Sequence, residues 1–111
     1  MNNIKEIEKT YPEVGEHLYL SNQPTGNYYL DAVKTPFTVA EVTETHVVVR
    51  RCRLIFHNGC YYDSIADEIV DNPAGELVTL HFNKKVGWYE SPIKYGRVAH
   101  FGEWKHYPYK D

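Results

Sequence analysis

Residues 36–57 read PFTVAEVTETHVVVRRCRLIFH. Val, Thr and Phe dominate the stretch and alternate with polar residues, the pattern of a pleated backbone with one face buried. Thr43-Glu44-Thr45 interrupts the alternation. The stretch therefore predicts a hairpin joining a strand over 36–43 to a longer strand over 46–57. In the longer strand Val47 and Val49 share one parity, while Cys52, Leu54 and Phe56 share the other. Both sets face inward only if a bulge lies between them. Arg51 and Arg53 share a face, and Arg50 takes the other unless that bulge intervenes.

Working outward, strands are expected over 16–21, 27–32, 60–62, 77–83, 87–90 and 96–101, separated by Gly, Pro and Asn. Asn58-Gly59 suits a two-residue type I′ hairpin, which sets His57 opposite Cys60, Phe56 opposite Tyr61 and Ile55 opposite Tyr62. Asn72-Pro73-Ala74-Gly75 suits a type I turn, and Asn83–Gly87 a longer hairpin loop ending in glycine. One internal helix is expected from Ser64-Ile65-Ala66-Asp67, a near capping box with Asp63 as the competing cap. Its apolar face is Ile65, Ile69 and either Ala66 or Val70; its polar face is Asp67, Glu68 and Asp71; it ends before Pro73. Residues 1–10, with Ile4 and Ile7, form an N-terminal helix or an arm that ends at Tyr11-Pro12. The fold class is mainly β: a small antiparallel β-barrel or curled sheet, SH3-like or OB-like, with one short helix across it.

The 111 residues make one domain, closing in a tail over 102–111. No apolar run approaches the roughly 18 residues of a membrane span, and the start lacks a leader pattern. Two cysteines are too few for a disulfide framework, and free buried thiols suit a cytoplasmic protein. A net charge of −3 argues against general polyanion binding, though not against a local basic patch.

Aromatics are 14% of the chain, ten of them tyrosines, which is high enough to need an explanation. Tyr28-Tyr29, Tyr61-Tyr62 and Trp88-Tyr89 each place two rings in succession on a strand. Successive side chains point to opposite faces, so one ring of each pair faces outward. The exception is a ring covered by the helix, by the N-terminal arm, or by the tail with Trp104, Tyr107 and Tyr109. Outward Tyr and Trp suit a partner surface. Arg51 and Arg53 can flank it and clamp phosphates or stack on bases, or they can simply be a solvated edge. Between Asp63 and Glu76 the chain holds acids and no base. Asp67, Glu68 and Asp71 can meet a basic groove on a partner, or form a solvated helix face.

Cys52, His57 and Cys60 have the look of part of a zinc site. The hairpin separates them: Cys52 faces away from His57 and lies roughly 16 Å back along the strand at about 3.3 Å per residue. That argues against a shared metal and disfavours a Cys52–Cys60 disulfide. No metal and no cofactor are expected. His81, His100 and His106, with Glu103 or Asp63 as orienter, would suit general acid–base chemistry in a small hydrolase if they converge. The chain has no Gly-rich phosphate loop, HExxH, nucleophile elbow or CxxC, so no catalytic residues are assigned.

Three segments, FTVAEVTETHVVVRRC (37–52), YYDSIADEIVDNPAGE (61–76) and FGEWKHYPYKD (101–111), together resemble small uncharacterised proteins carried by phages and mobile elements of Gram-positive bacteria. The resemblance spans roughly residues 10–111 and brings no site residues. It implies an intracellular binder, of a kind that includes inhibitors of host nucleases and other defence machinery. The expected function is a non-enzymatic module that binds, and can inhibit, a host protein through its aromatic face. The alternatives are single-stranded nucleic-acid binding along Arg51, Arg53, Lys84 and Lys85, and a histidine-dependent hydrolase. No membrane partner is expected, and an unpaired strand edge would permit a homodimer.

Overall fold

The strands read from the sequence close on themselves. The structure, a computed structural model, describes residues 6–22, 34–55, 68–91 and 96–101. These form β1 (His17–Ser21), β2 (Lys34–Val42), β3 (Val47–Arg51), β4 (Arg53–Ile55), β5 (Glu68–Val70), β6 (Leu77–Asn83), β7 (Gly87–Glu90) and β8 (Val98–Phe101). Six of them pair antiparallel in the order β1-β2-β3-β6-β7-β8, and β8 returns to β1 to close a barrel. Closure pairs both edges of every barrel strand, so among the described residues the open strand edges belong to the separate β4–β5 ribbon.

Alternation fills the barrel. Leu18 and Leu20 from β1, Phe37 and Val39 from β2, Val47 and Val49 from β3, Val78 and Leu80 from β6 and Trp88 from β7 form one buried cluster. Val42, Phe82, Ala99 and Phe101 pack against it. Ala40 is an extra residue in β2: Val39 faces Val49, but Glu41 faces Val48, so the bulge brings Val42 inward opposite Val47.

The turns expected at 43–45 and 83–87 are present. Thr43 N–H donates to the His46 carbonyl at 2.9 Å. Gly87 closes the second hairpin at φ 85°, a conformation that glycine adopts without strain. The turn at 72–75 is also present: Gly75 N–H donates to the Asn72 carbonyl at 2.8 Å, and Ala74 N–H to Asn72 Oδ1 at 3.2 Å.

That last turn explains the β4–β5 ribbon. Arg50 faces Leu77, yet Arg53 faces Val70. Three residues on one side therefore match seven on the other, and the surplus is the four-residue turn Asn72–Gly75. The ribbon is the continuation of the β3–β6 pair, offset where the turn is looped out. Gly75 sits against the Arg51 backbone carbonyl, closer than a Cβ could approach.

Two expectations are corrected. The bulge expected in residues 46–57 is not in that strand. The β2–β3 ladder continues past Arg51, with Cys52 N–H donating to the Pro36 carbonyl at 3.0 Å; Pro36 has no N–H to return, so the regular strand pauses there. Cys52 is buried not by switching inward but because the Asp71–Gly75 turn covers the outer face at that point. The internal helix does not extend over 68–70, which is strand β5. Its β-branched Ile69 and Val70 pair with Leu54 and Arg53, and this pairing outweighs a helix of about two turns that is marginal alone. Residues 6–10 are not helical, which leaves the arm of the two expected alternatives. The expected strands 27–32 and 60–62, the Asn58-Gly59 hairpin and the tail over 102–111 lie outside the described residues; on the described side Ile55 faces Glu68.

Gly75→Ala should destabilise the protein by about 1–3 kcal/mol, because the new methyl must displace the Arg51 carbonyl. Urea unfolding monitored by circular dichroism checks this; an unchanged midpoint would refute the close approach.

Candidate functional site

The outer face of the barrel presents a row of exposed side chains on β6. On β6 the parity that buries Val78 and Leu80 turns Leu77, Thr79 and His81 outward, all exposed. Leu77 is 53% exposed. Tyr89 of β7 lies directly opposite His81, and their rings sit 6.2 Å apart between centroids. Half-buried Val48 of β3 flanks Thr79 from the other side.

The Trp88-Tyr89 doublet divides as alternation requires. Tyr89 faces outward, and Trp88 is 5% exposed in the core. The N-terminal arm covers the indole. Its N–H donates to the Thr10 carbonyl at 2.9 Å, and its ring meets Tyr11 at 5.9 Å and Phe82 edge-on at 5.4 Å. Ile7 N–H donates to the Lys84 carbonyl at 2.7 Å, and the Tyr11 hydroxyl to the Glu44 carbonyl at 2.9 Å. The arm thus closes the barrel end formed by the 43–46 and 84–86 turns.

The other end is closed by charge. Arg97 Nε donates to Glu90 Oε1 at 2.8 Å and its Nη2 to Oε2 at 2.9 Å, a two-pronged ion pair. The guanidinium also lies 5.5 Å from the centre of the Phe37 ring. The hydrogen bonds from Arg97, more than its charge, hold the Glu90 carboxyl below its ordinary range and outweigh the opposing effect of burial. The same bonds push the Arg97 guanidinium up.

The remaining expected residues do not gather into one surface. Arg51, Arg53 and Glu68 are exposed. Asp71 does not join Glu68 on a shared polar face: its carboxylate accepts from Thr38 Oγ1 at 2.7 Å, and that hydroxyl lies 3.3 Å from Cys52 Sγ. Burial is the main cause that pushes the Cys52 thiol up; the Asp71 charge adds to it and the Thr38 hydroxyl opposes it. Lys84 and Lys85 lie in the β6–β7 turn, whereas Arg51 leaves the barrel beside the opposite end of β6. Six residues of strand separate the two pairs, about 20 Å at 3.3 Å per residue, so the four cations form no single track. Tyr28, Tyr29, Tyr61, Tyr62 and Asp67 lie outside the described residues.

The histidines divide similarly. His81 is on β6 and His100 on β8, with β7 between them. His106, Glu103 and Asp63 lie outside the described residues. What the sequence reading missed is a local pair: Ser21 Oγ and His100 Nε2 are 2.8 Å apart across the β1–β8 seam. The residues are 79 positions apart in the chain, so only closure of the barrel could reveal them. Among the described residues, no group of three or more His, Cys, Asp or Glu side chains is placed to hold a metal ion. No helix among them is long and apolar enough to cross a membrane.

Compared with known proteins, the chain matches no family model, and no curated protein or solved structure matches it either.

The Glu90–Arg97 pair has a pH signature. A carboxyl held low in the folded protein stabilises it above the unfolded-state pKa of about 4.3 and loses that contribution as pH falls through the folded value. Glu90→Gln should lower stability at pH 7 by about 1 kcal/mol and flatten the acid limb of the stability–pH curve below about pH 4.3. Thermal melts from pH 7 to pH 3 check both; parallel curves for the two proteins would contradict the pair's role.

Proposed function

We propose that this chain is a non-enzymatic binding module whose outer barrel face engages a partner protein. The observation that carries the reading is exposed Leu77 in a row with Thr79 and His81, with Tyr89 alongside. Interface cores favour an aromatic anchor ringed by polar groups, and Tyr89 beside Thr79 and His81 offers that arrangement, with Leu77 adding apolar area. The resemblance to phage and mobile-element accessory proteins supplies the setting: a cytoplasmic protein that binds and inhibits a host enzyme such as a nuclease. Exposed Arg51 at the end of β3 and Arg53 on the adjoining ribbon would extend contact to an acidic partner.

A protein partner is favoured over single-stranded nucleic acid because the four cations required for a backbone track lie at opposite ends of β6, and because the net charge is −3. The hydrolase reading keeps one supporting contact, the Ser21–His100 pair.

Affinity capture from a Gram-positive host lysate tests the binding reading. Wild type should retain one stoichiometric protein, and Leu77→Glu and Tyr89→Ala should each weaken the purified complex by about tenfold or more while melting normally. Lys84→Ala should leave it unchanged. Retention of nucleic acid that falls steeply with salt, without a protein partner, would overturn the reading.

A further inference from the structure

The arm-covered end of the barrel holds an ammonium group among three rings. Lys9 Nζ lies 5.3 Å from the centre of the Tyr11 ring, 5.9 Å from that of Phe82 and 5.7 Å from that of Trp88. All three distances fall within the range in which a cation is attracted to an aromatic face. Nζ also donates to the Glu44 carbonyl at 3.1 Å. From this geometry we propose that Tyr11, Phe82 and Trp88 form a binding cage for an alkylammonium group, which Lys9 occupies in its absence. The cage is separate from the outer face bearing Leu77 and Tyr89 and does not depend on that reading.

Three features favour a methylated ammonium over a bare one. The cage offers three ring faces and one carbonyl, whereas a primary ammonium brings three donors. A quaternary ammonium has no donor to satisfy and sheds its water more easily, so ring faces suit it better. The rings also border a cavity of about 420 Å³ whose lining includes the acidic residues Glu8 and Glu16, a charge of the right sign for a cation. Finally, the cage does not need Lys9 to hold its shape. Phe82 and Trp88 belong to the barrel, and Tyr11 is anchored by its own bond to Glu44 and by the Trp88–Thr10 bond beside it. The exposed Lys9 side chain has only to swing away.

The test follows Trp88 fluorescence in a Trp104→Phe background, where it is the single indole of the chain's two. If Trp104→Phe fails to fold, the Trp88 indole N–H resonance of the unaltered chain reads the same event. Tetramethylammonium chloride is titrated at constant ionic strength against sodium chloride. The expected result is a saturable change with tetramethylammonium chloride and none with sodium chloride, roughly three- to tenfold tighter in Lys9→Ala because the internal competitor is gone. Tyr11→Leu in the same background should abolish it, and Leu77→Glu should leave it intact. Choline and Nε-trimethyllysine, added separately, distinguish a small-molecule source from a side chain; saturable binding of either supports the site. A response that does not saturate in Lys9→Ala, one that survives Tyr11→Leu, or one confined to tetramethylammonium would overturn the proposal.

Discussion

The meeting of β8 with β1 is the contact on which the rest of the structure depends. The two strands are the first and last of the barrel, and their pairing sets Leu18 opposite Phe101 and Leu20 opposite Ala99. Both leucines are thereby removed from water, and the interior becomes a single closed layer of side chains. On the outside of the same seam the Ser21–His100 bond fastens β1 to β8 a second time. Without this pairing β1 and β8 would present open edges, and the central valines of β3 would lose the opposite wall of their core.

A closed barrel still has two open ends, and this chain closes them with different chemistry. At one end a two-pronged ion pair lies over Phe37. At the other, an extended arm lies over an indole. Burying Trp88 leaves an N–H that must find an acceptor, and the Thr10 carbonyl provides it. The arm is therefore part of the core's hydrogen-bond accounting although it adds no strand to the barrel. Lys9, Tyr11 and Ile7 follow from that anchor: the first two bond to Glu44 in one of the turns that rim the same end, and Ile7 bonds to Lys84 in the other.

Much of the barrel was legible in the chain. The strands over 77–83 and 87–90 and the turns at 43–45, 72–75 and 83–87 are local features, governed by alternation, β-branching and turn chemistry. The candidate site was legible only in part. That one ring of Trp88-Tyr89 faces out follows from pleating; which one, and that the N-terminal arm lies over the other, does not. The burial of Cys52 was correctly expected and wrongly explained, because apolar spacing records that a residue is covered but not by what. The helix over 68–70 was misread for a related reason: Ile69 and Val70 satisfy a helical period and a strand equally well, and the choice fell to Leu54 and Arg53 across the ribbon.

What the sequence by itself determined is the set of short, alternating segments and the glycines and prolines that separate them, because those depend on steric and solvation preferences acting over a few residues. Only the tertiary structure decided that β8 returns to β1, that Ser21 meets His100, that Lys9 rests among three rings, and that the arginines and lysines lie at opposite ends of one strand. These are pairings across many positions, and their free energy appears only once closure of the barrel has already brought the partners together.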